Sequence, residues 1–315
     1  MWPSPTRADA LSDERHGGPG SIAAVAFGFY LALLVVVMLS QGIEVLPDRY
    51  AVAMLVGAVI LGRGRRFIAD WSPFIGLLIS YDFLRGFADD LAGRAEFTLP
   101  MQADAAIFGD VPTAFLQRTF FNPGALQWYD YGATLLYFLH FVLPLGFAML
   151  LWLRSRSQFT EFAAGLTILS YAAWLTYLVF PSAPPWLAAQ DGYVGGVTRV
   201  LGETINLFPD RLDLPSIYRQ LNPNAVAAIP SLHAAYPFLV LLFALRFFGR
   251  RGIVVGIYVV AVWLAVIYLG EHYAVDVMFG ALYAAAAFVL GPRALSLIER
   301  VRISRPDWTP SFRRA

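Results

Sequence analysis

Two apolar stretches in the last third of the chain decide the fold: SLHAAYPFLVLLFALRFF at residues 231–248 and HYAVDVMFGALYAAAAFVL at residues 272–290. Each is close to the roughly 20 apolar residues that an α-helix needs to cross the hydrocarbon core of a bilayer. Each also carries a histidine near its amino-terminal end, His233 in the first and His272 in the second. The sequence therefore predicts two membrane-spanning helices that both begin with a titratable side chain.

The composition of the whole chain agrees with a membrane protein. Of its 315 residues, 58% are hydrophobic and 14% are charged, whereas soluble domains carry about 25% charged residues. We therefore predict an all-α, polytopic transmembrane helix bundle of about eight spans. The spans are residues 22–40, 50–61, 67–87, 132–153, 159–180, 231–248, 253–269 and 272–290. Span 67–87 is the weakest because it holds Asp70, Asp82 and Arg85, and a re-entrant or interfacial segment is its alternative.

The arginines predict the orientation of this bundle. The chain has no lysine, and 16 of its 23 arginines fall in the termini and in the connections that eight spans place on one side. Because basic residues accumulate on the cytoplasmic side, we expect a multi-pass plasma-membrane protein with both termini in the cytoplasm. The predicted parts are a cytoplasmic tail (1–20), two amino-terminal transmembrane helices (21–66), a six-helix membrane domain (67–291) with outer loops 88–131 and 181–230, and a cytoplasmic tail (292–315).

Composition also excludes several classes of function. A net charge of +1 gives no basic surface for nucleic acid. The absence of cysteine excludes disulfides, thiolate metal sites and cysteine nucleophiles. The chain has only four histidines, His16, His140, His233 and His272, so metal or acid–base chemistry that uses histidine must draw on this short set.

Ionisable side chains gather at the span ends that face away from the arginine-rich side. Such groups are costly in a membrane and are functional candidates by default. Asp276 follows His272 by four residues and so shares its helical face. The full cluster is His140, His233, His272, Asp276, Asp82 and Arg85.

This cluster is suited to phosphoryl transfer. One histidine attacks phosphorus as the neutral imidazole and the other protonates the leaving oxygen. Asp276 has the spacing to fix the tautomer of His272 and to raise its basicity. Ser231 is the expected N-cap of its helix, and the helix N-termini beside His233 and His272 are expected to bind anions. An arginine must also neutralise the phosphate oxygens.

Other interpretations of the same residues stay open. His233, His272 and Asp276 also fit a structural polar network, a zinc or iron site, or the proton relay of a transporter. A transporter would place its ionisable groups near the midplane, on broken helices in matched halves. An intramembrane serine protease built on Ser231 is disfavoured because the residue has no Gly-x-Ser-x-Gly context.

Three of the candidates are weaker. His140 also fits a packed or hydrogen-bonded histidine of the bundle interior. Asp82 and Arg85 are three residues apart and also fit a pair that neutralises itself. These residues are therefore predicted as substrate-site candidates with a structural alternative.

Several motifs resemble a known family. Pro-Ser-Leu-His at 230–233 and His-Tyr-Ala-Val-Asp at 272–276 resemble the second and third signatures of the type-2 phosphatidic acid phosphatase superfamily. Within it, the chain looks most like the inositol phosphorylceramide synthase branch of lipid phosphotransferases. The segments FPSAPPW at 180–186 and YDFLRG at 81–86, and His140 with Pro144, are also similar to that branch. The resemblance extends over about residues 67–290.

The resemblance implies a six-helix catalytic core with an added pair of amino-terminal helices. It implies His272 as a nucleophile that forms a phosphohistidine, Asp276 as its orienting residue and His233 as the general acid. It also implies an active site on the non-cytoplasmic face, without metal or cofactor. The expected enzyme moves a phosphoryl or phospho-head group from a membrane lipid to an alcohol or lipid acceptor. A lipid phosphate or pyrophosphate phosphatase of the same superfamily is the alternative.

The sequence departs from the superfamily pattern in its cations. The first signature requires a lysine, which the chain lacks, and the serine-arginine pair of the third signature is replaced by Ala265 and Val266. Ser231 and Arg85 are therefore our predicted phosphate-binding residues. The remaining candidates are Arg199, Arg211 and Arg219 as alternative cations, and Asp82, His140 and Tyr273 as possible substrate contacts.

Overall fold

The computed structural model describes residues 54–59, 61–86, 93–206 and 225–303. The predicted span 22–40 lies outside them, and of span 50–61 mainly the helical residues 54–59 are described. In the described ranges the regular elements are helices, and β-type pairing is limited to isolated bridges that join Ser182 to Glu96 and to Ala227. The predicted all-α class is confirmed.

The helices agree closely with the predicted spans from residue 64 onward. A short 3₁₀ turn, Gly249–Ile253, joins the two helices that precede the last one. The described helices are α1 (Gly64–Gly86), α2 (Leu99–Phe108), α3 (Pro112–Phe120), α4 (Trp128–Arg154), α5 (Arg156–Val179), α6 (Pro185–Gln190), α7 (Val200–Asn206), α8 (Leu232–Phe248), α9 (Val254–Tyr268) and α10 (Ala274–Ile303).

Several of these helices are long and apolar enough to cross a membrane. Three described stretches meet that requirement, and a fourth does if the two halves of α4, which bend by 46° around residue 141, count as one span. Pro144 lies in α4 and cannot donate to the carbonyl of His140, which accounts for a bend there. The three stretches are Arg156–Val179, Leu232–Tyr268 and Ala274–Val301. The chain is thus a membrane protein, and the total of eight spans stays a prediction.

The stretch Leu232–Tyr268 is a helical hairpin. The indole of Trp263 in α9 donates to the carbonyl of Ala234 in α8 over 3.2 Å. At the other end of the hairpin, a Cβ atom on Gly252 would lie 2.4 Å from the carbonyl carbon of Ala244. Because the end of α9 contacts the start of α8 and the connecting turn packs on the end of α8, the two helices run antiparallel, and their count as two spans stays a prediction.

The longest helix differs from its prediction. Helix α10 continues to Ile303, 13 residues past the predicted end of the span, and it includes Pro292 and several polar residues of the predicted tail 292–315. Hydropathy marks only the part of a helix that faces lipid, whereas the hydrogen-bonded helix extends into the polar region beyond it. The predicted boundary between membrane domain and tail is therefore not a boundary of secondary structure.

The predicted outer loops contain helices of their own. Helices α2 and α3 occupy much of loop 88–131, and α6 and α7 lie in loop 181–230. Backbone hydrogen bonds tie these segments together: the amide of Glu96 donates to Pro181 over 2.8 Å, and that of Ser182 donates to Val226 over 2.8 Å. These hydrogen bonds thus join the two predicted loops to each other.

Glycine allows a close crossing between α5 and α10. A Cβ atom on Gly291 would lie 2.8 Å from the backbone nitrogen of Gly165 and 2.9 Å from its Cα. Small residues at such crossings let helix backbones approach and pack in membranes. The crossing fixes α10 against α5 at the end remote from His272.

We predict that Gly291→Ala lowers the stability of the fold by about 1–3 kcal/mol, because the added methyl must push two backbones apart. Thermal unfolding of the purified protein in one detergent measures the effect. Gly256→Ala is the matched control, since its Cβ would lie 3.8 Å from Leu241 in ordinary contact. A Gly291→Ala protein as stable as the wild type would contradict the proposed packing.

Candidate active site

The first candidate histidine lies at the start of α8. Ser231 is the N-cap of this helix, as predicted, and its Oγ accepts from the amide of Ala234 over 3.3 Å. Ser231 is completely buried, whereas His233, in the first turn, is partly exposed. The cap thus fixes the direction from which the imidazole of His233 leaves the helix.

The second candidate histidine lies in the tight turn between α9 and α10. The amides of Glu271 and His272 both donate to the carbonyl of Val266, over 3.1 and 3.2 Å. The turn requires Gly270, whose φ is +82° and whose Cβ, if present, would lie 2.9 Å from the carbonyl oxygen of Thr198. The local chain path therefore leaves His272 almost completely buried.

Asp276 faces His272 from the first turn of α10. The distance from Nδ1 of His272 to Oδ2 of Asp276 is 3.5 Å, and the same oxygen accepts from the amide of Tyr273 over 2.9 Å. A carboxylate at this position favours the tautomer with a proton on Nδ1. The lone pair of the neutral ring then lies on Nε2, the nitrogen that points away from Asp276.

That nitrogen meets the first histidine. Nε2 of His272 lies 3.0 Å from Nδ1 of His233. With the lone pair on His272, His233 is the donor in this hydrogen bond. A lone pair and an N–H proton are thus directed at one point between the two rings.

Gly280 permits this contact. The amide of Ser231 donates to the carbonyl of Asp276 over 3.0 Å. One turn further along α10, a Cβ atom on Gly280 would lie only 2.4 Å from the carbonyl oxygen of Ser231. The starts of α8 and α10 therefore touch through their backbones, which brings the two histidines together.

His140 belongs to the same cluster. Its ring centroid lies 3.8 Å from that of His233, and its Nδ1 bonds to the carbonyl of Tyr137. Tyr137 stacks on His233, with ring centroids 4.2 Å apart and ring planes 25° apart. His140 is completely buried. Tyr137 was not predicted as a site residue, although its place one turn before His140 on the same helical face is a usable signal.

Tyr273 is placed differently from His140. Tyr273 is completely buried and packs in an outer apolar cluster with Val111, Ala114 and Val275, so a packing role fits it better. Asp82 and Arg85 lie near the end of α1, and their side chains fall outside the described part of the structure. Their roles stay predictions.

The N-terminus of α10 differs from its prediction as an anion site. The carboxylate of Asp104, in α2, accepts from the amide of Ala274 over 2.9 Å and from the amide of Val275 over 2.8 Å. Asp104 is completely buried. Burial raises its pKa from 3.8 to about 6, against the opposing effect of the two amide hydrogen bonds. The carboxylate of Asp104 therefore accepts the hydrogen bonds of two amides that were predicted to bind an anionic ligand.

Arg199 is held beside the turn of His272. Its Nε donates to Oε1 of Glu271 over 2.8 Å, and its guanidinium lies 3.8 Å above the ring of Trp186. Glu271 directly precedes His272 in the chain. Of the alternative cations, Arg199 thus lies near the site, whereas Arg211 and Arg219 lie outside the described residues.

A metal site is not assembled from these side chains. Among residues 54–59, 61–86, 93–206 and 225–303, no group of three histidines or carboxylates is arranged to hold a metal ion. In particular, His233 and Asp276 approach different nitrogens of His272. Both ring nitrogens of His272 therefore face protein groups instead of a shared ligand position.

Comparison with known proteins identifies the family of this site. The profile of the PAP2 superfamily matches residues 101–290, which include α2 to α9, most of α10 and both histidine motifs. The chain belongs to the PAP2 superfamily. This match confirms the resemblance inferred from the two histidine motifs.

Two curated relatives match the expected branch. Phosphoinositol dihydroceramide synthase of Bacteroides thetaiotaomicron is 27% identical over 228 residues, which cover 69% of this chain and 73% of that protein. Inositol phosphorylceramide synthase of Candida albicans is 25% identical over 177 residues, which cover 52% of this chain and 35% of that protein. No solved structure matches the chain. The prediction of a PAP2-superfamily enzyme, a lipid phosphotransferase or phosphatase, is confirmed.

We predict that Gly280→Ala lowers lipid turnover about a hundredfold, because a misplacement of about 1 Å in a reacting group has an effect of that size. The added methyl must move Ser231, and with it His233, away from His272. Initial rates of the purified variant measure this, with Gly291→Ala as control on the same helix but at its far end. If Gly291→Ala loses as much activity as Gly280→Ala, at a temperature where both are folded, the local explanation is wrong.

Proposed function

We propose that the protein is a lipid phosphotransferase that acts through a phosphohistidine on His272. The observation that carries the proposal is the 3.0 Å contact between Nε2 of His272 and Nδ1 of His233, with Asp276 behind the first ring. It combines a nucleophile, an orienting carboxylate and a proton donor in one place. These are the groups that covalent phosphoryl transfer requires.

In the first half of the reaction, Nε2 of His272 attacks the phosphorus of the donor lipid. The new N–P bond forms as the bond from phosphorus to the leaving lipid oxygen breaks. His233 takes part in this step as the imidazolium, gives the proton on Nδ1 to that oxygen and becomes the neutral imidazole. Asp276 stabilises the positive charge that develops on the His272 ring, as the carboxylate of a catalytic triad does.

The second half runs in the reverse sense with a different alcohol. His233, now neutral, accepts the proton of the acceptor hydroxyl, and the hydroxyl oxygen attacks phosphorus. The N–P bond breaks and His272 is restored. One residue thus serves first as general acid and then as general base.

We infer the substrates from the two relatives. Their names describe products in which a phosphoinositol group is attached to a ceramide or dihydroceramide. The matching transfer here moves a phosphoinositol head group from a membrane lipid to the hydroxyl of a ceramide-type acceptor. The near-complete burial of His272 supports an alcohol acceptor over water, since a buried phosphohistidine is shielded from bulk solvent.

The phosphate oxygens need positive charge or hydrogen-bond donors at the same place. We assign this role to Arg85 at the outer end of α1 and to the helix start around Ser231. The ring of His140 packs against the ring of His233 and restricts its orientation. Asp82 and Tyr273 are the weaker candidates for substrate contact.

We further propose that the site faces the non-cytoplasmic side of the plasma membrane, with both termini in the cytoplasm. Helix α8 places His233 at one end and leads to Arg250 and Arg251 at the other. The 17 residues of α8, which separate the start that carries His233 from the turn that carries Arg250, span about 26 Å, close to the hydrocarbon thickness of about 30 Å. The positive-inside rule then supports an outer location for the histidines.

We predict that His272→Ala abolishes transfer and that His233→Ala slows it by about 10²–10⁴-fold, the usual contribution of a general acid. The assay follows ³²P from a lipid with a phosphoinositol head group to a ceramide acceptor, using purified protein in detergent. Acid-labile label trapped on the wild-type protein, and absent from His272→Ala, reports the covalent step. His16→Ala, in the predicted amino-terminal tail 1–20, is the matched control and is expected to keep full activity.

Omission of the acceptor separates transfer from hydrolysis in the same assay. A transferase is expected to accumulate labelled protein and to release little labelled water-soluble product. Release at one rate with and without acceptor would support the phosphatase alternative instead. Full activity in both histidine variants would exclude the proposed mechanism.

We predict that a cysteine placed at Gly195, in the exposed segment between α6 and α7, reacts with a membrane-impermeant maleimide in intact cells. A cysteine placed at Arg251, in the turn between α8 and α9, is expected to react only after the cells are opened. The natural chain has no cysteine, so the introduced thiol is the one site in each variant that the maleimide can label. The opposite labelling pattern would place the site on the cytoplasmic side.

A further inference from the structure

The turn that carries His272 is held from outside the membrane bundle. Three buried polar side chains of α2 and α3, Asp104, Thr113 and Gln117, reach this turn across more than 150 residues of sequence. Burial of polar groups is costly unless each finds a partner. All three find theirs in the backbone between Tyr268 and Val275.

The three contacts follow the turn from its start to its end. The side-chain amide of Gln117 donates to the carbonyl of Tyr268 over 2.7 Å. The hydroxyl of Thr113 lies 3.5 Å from the carbonyl of His272. The carboxylate of Asp104 accepts from Ala274 and Val275. The helix pair α2–α3 therefore holds the backbone on both sides of His272 in one conformation.

Gln117 also connects the helix pair α2–α3 to the segment that contains Thr198. Its Oε1 accepts from the amide of Thr198 over 2.8 Å, and its Nε2 also donates to the carbonyl of Thr198 over 2.9 Å. Thr198 directly precedes Arg199, which bonds to Glu271 in the turn. One side chain thus fixes two segments that flank His272.

Asp104 has a specific relation to Asp276. The first amides of a helix lack partners within the helix and attract carboxylates. Here Asp104 takes the amides of Ala274 and Val275, and Asp276 takes that of Tyr273. With the amides shared between the two carboxylates in this way, Oδ2 of Asp276 lies 3.5 Å from Nδ1 of His272. Without Asp104, the amides of Ala274 and Val275 lose their acceptor, and they directly follow the amide of Tyr273 to which Asp276 already bonds.

We propose that Asp104 is a positioning residue: by capping α10 in place of Asp276, it keeps the Asp276 carboxylate directed at His272. This inference rests on the proposed role of His272 as nucleophile. Asp104 itself contacts backbone amides and no reacting atom. Its removal is expected to let Asp276 turn toward the open amides and to release the imidazole of His272.

The kinetic test compares Asp104→Ala and Asp104→Asn with the wild type. Asp104→Ala is expected to lower kcat about a hundredfold and to leave KM for the donor lipid within twofold, since no substrate contact is lost. Asp104→Asn keeps one acceptor oxygen, so its kcat is expected to lie between those of Asp104→Ala and the wild type. Asp110→Asn, on the same helix pair but exposed and paired with Arg118, is the matched control and is expected to behave as wild type.

Hydrogen exchange tests the same proposal without any substrate. Peptides that cover residues 268–280 are expected to exchange faster in Asp104→Ala than in wild type, whereas peptides of α5 and of the α8–α9 hairpin keep their rates. If Asp104→Ala is not obtained folded, Asp104→Asn and Thr113→Val provide the comparison. Thr113→Val removes only the hydroxyl near the His272 carbonyl, so a smaller change in the same peptide is expected.

The outcomes separate this proposal from the proposed function. Unchanged exchange and unchanged kcat in Asp104→Ala would overturn the positioning role. A loss of activity through KM alone, or with exchange raised throughout the protein, would overturn it as well. If the wild type itself turns over no lipid, the proposed function fails, and the exchange data still decide whether Asp104 caps α10.

Discussion

The structure depends on one close approach, where the backbone of α10 touches the start of α8. The amide of Ser231 bonds to the carbonyl of Asp276, and Gly280 provides the space. Two histidines from helix starts almost 40 residues apart in sequence meet only because of this contact. In a membrane, helices gain little from burial of apolar surface, so close packing at small residues has to hold them together. The geometry of the site is therefore a property of helix packing.

The sequence predicted the parts of the fold that follow from local patterns. Apolar length located α4, α5, α8 and α9 to within a few residues, and Ser231 was recognised as an N-cap from its place before an apolar run. The short outer helices α2 and α3 were missed, because nine or ten residues give little periodicity. Pro100 and Pro112, in the first turns of these helices, were the available signal, since proline favours that position.

The site was only partly predictable for a different reason. His233, His272 and Asp276 were found because each is costly in a membrane and because His272 and Asp276 share a helical face. Asp104 and Gln117 reach the site through contacts 151 to 171 residues away in sequence. No periodicity links such residues, and each looks like an ordinary polar residue of a loop. Long-range contacts of this kind require the fold itself.

Charge around His272 explains why the site needs a cation from elsewhere. Asp104, Glu271 and Asp276 are three nearly or fully buried carboxylates within a few residues of His272 in space or sequence. Among the described side chains near the turn, Arg199 offsets one of them through its ion pair with Glu271. In the proposed reaction, a substrate phosphate adds further negative charge. The chain lacks the lysine and the serine-arginine pair of the usual superfamily signatures, so we propose that another guanidinium approaches the phosphate. Arg85, near the end of α1, is our candidate for this role because α1 belongs to the helices that pack around the histidine-bearing pair.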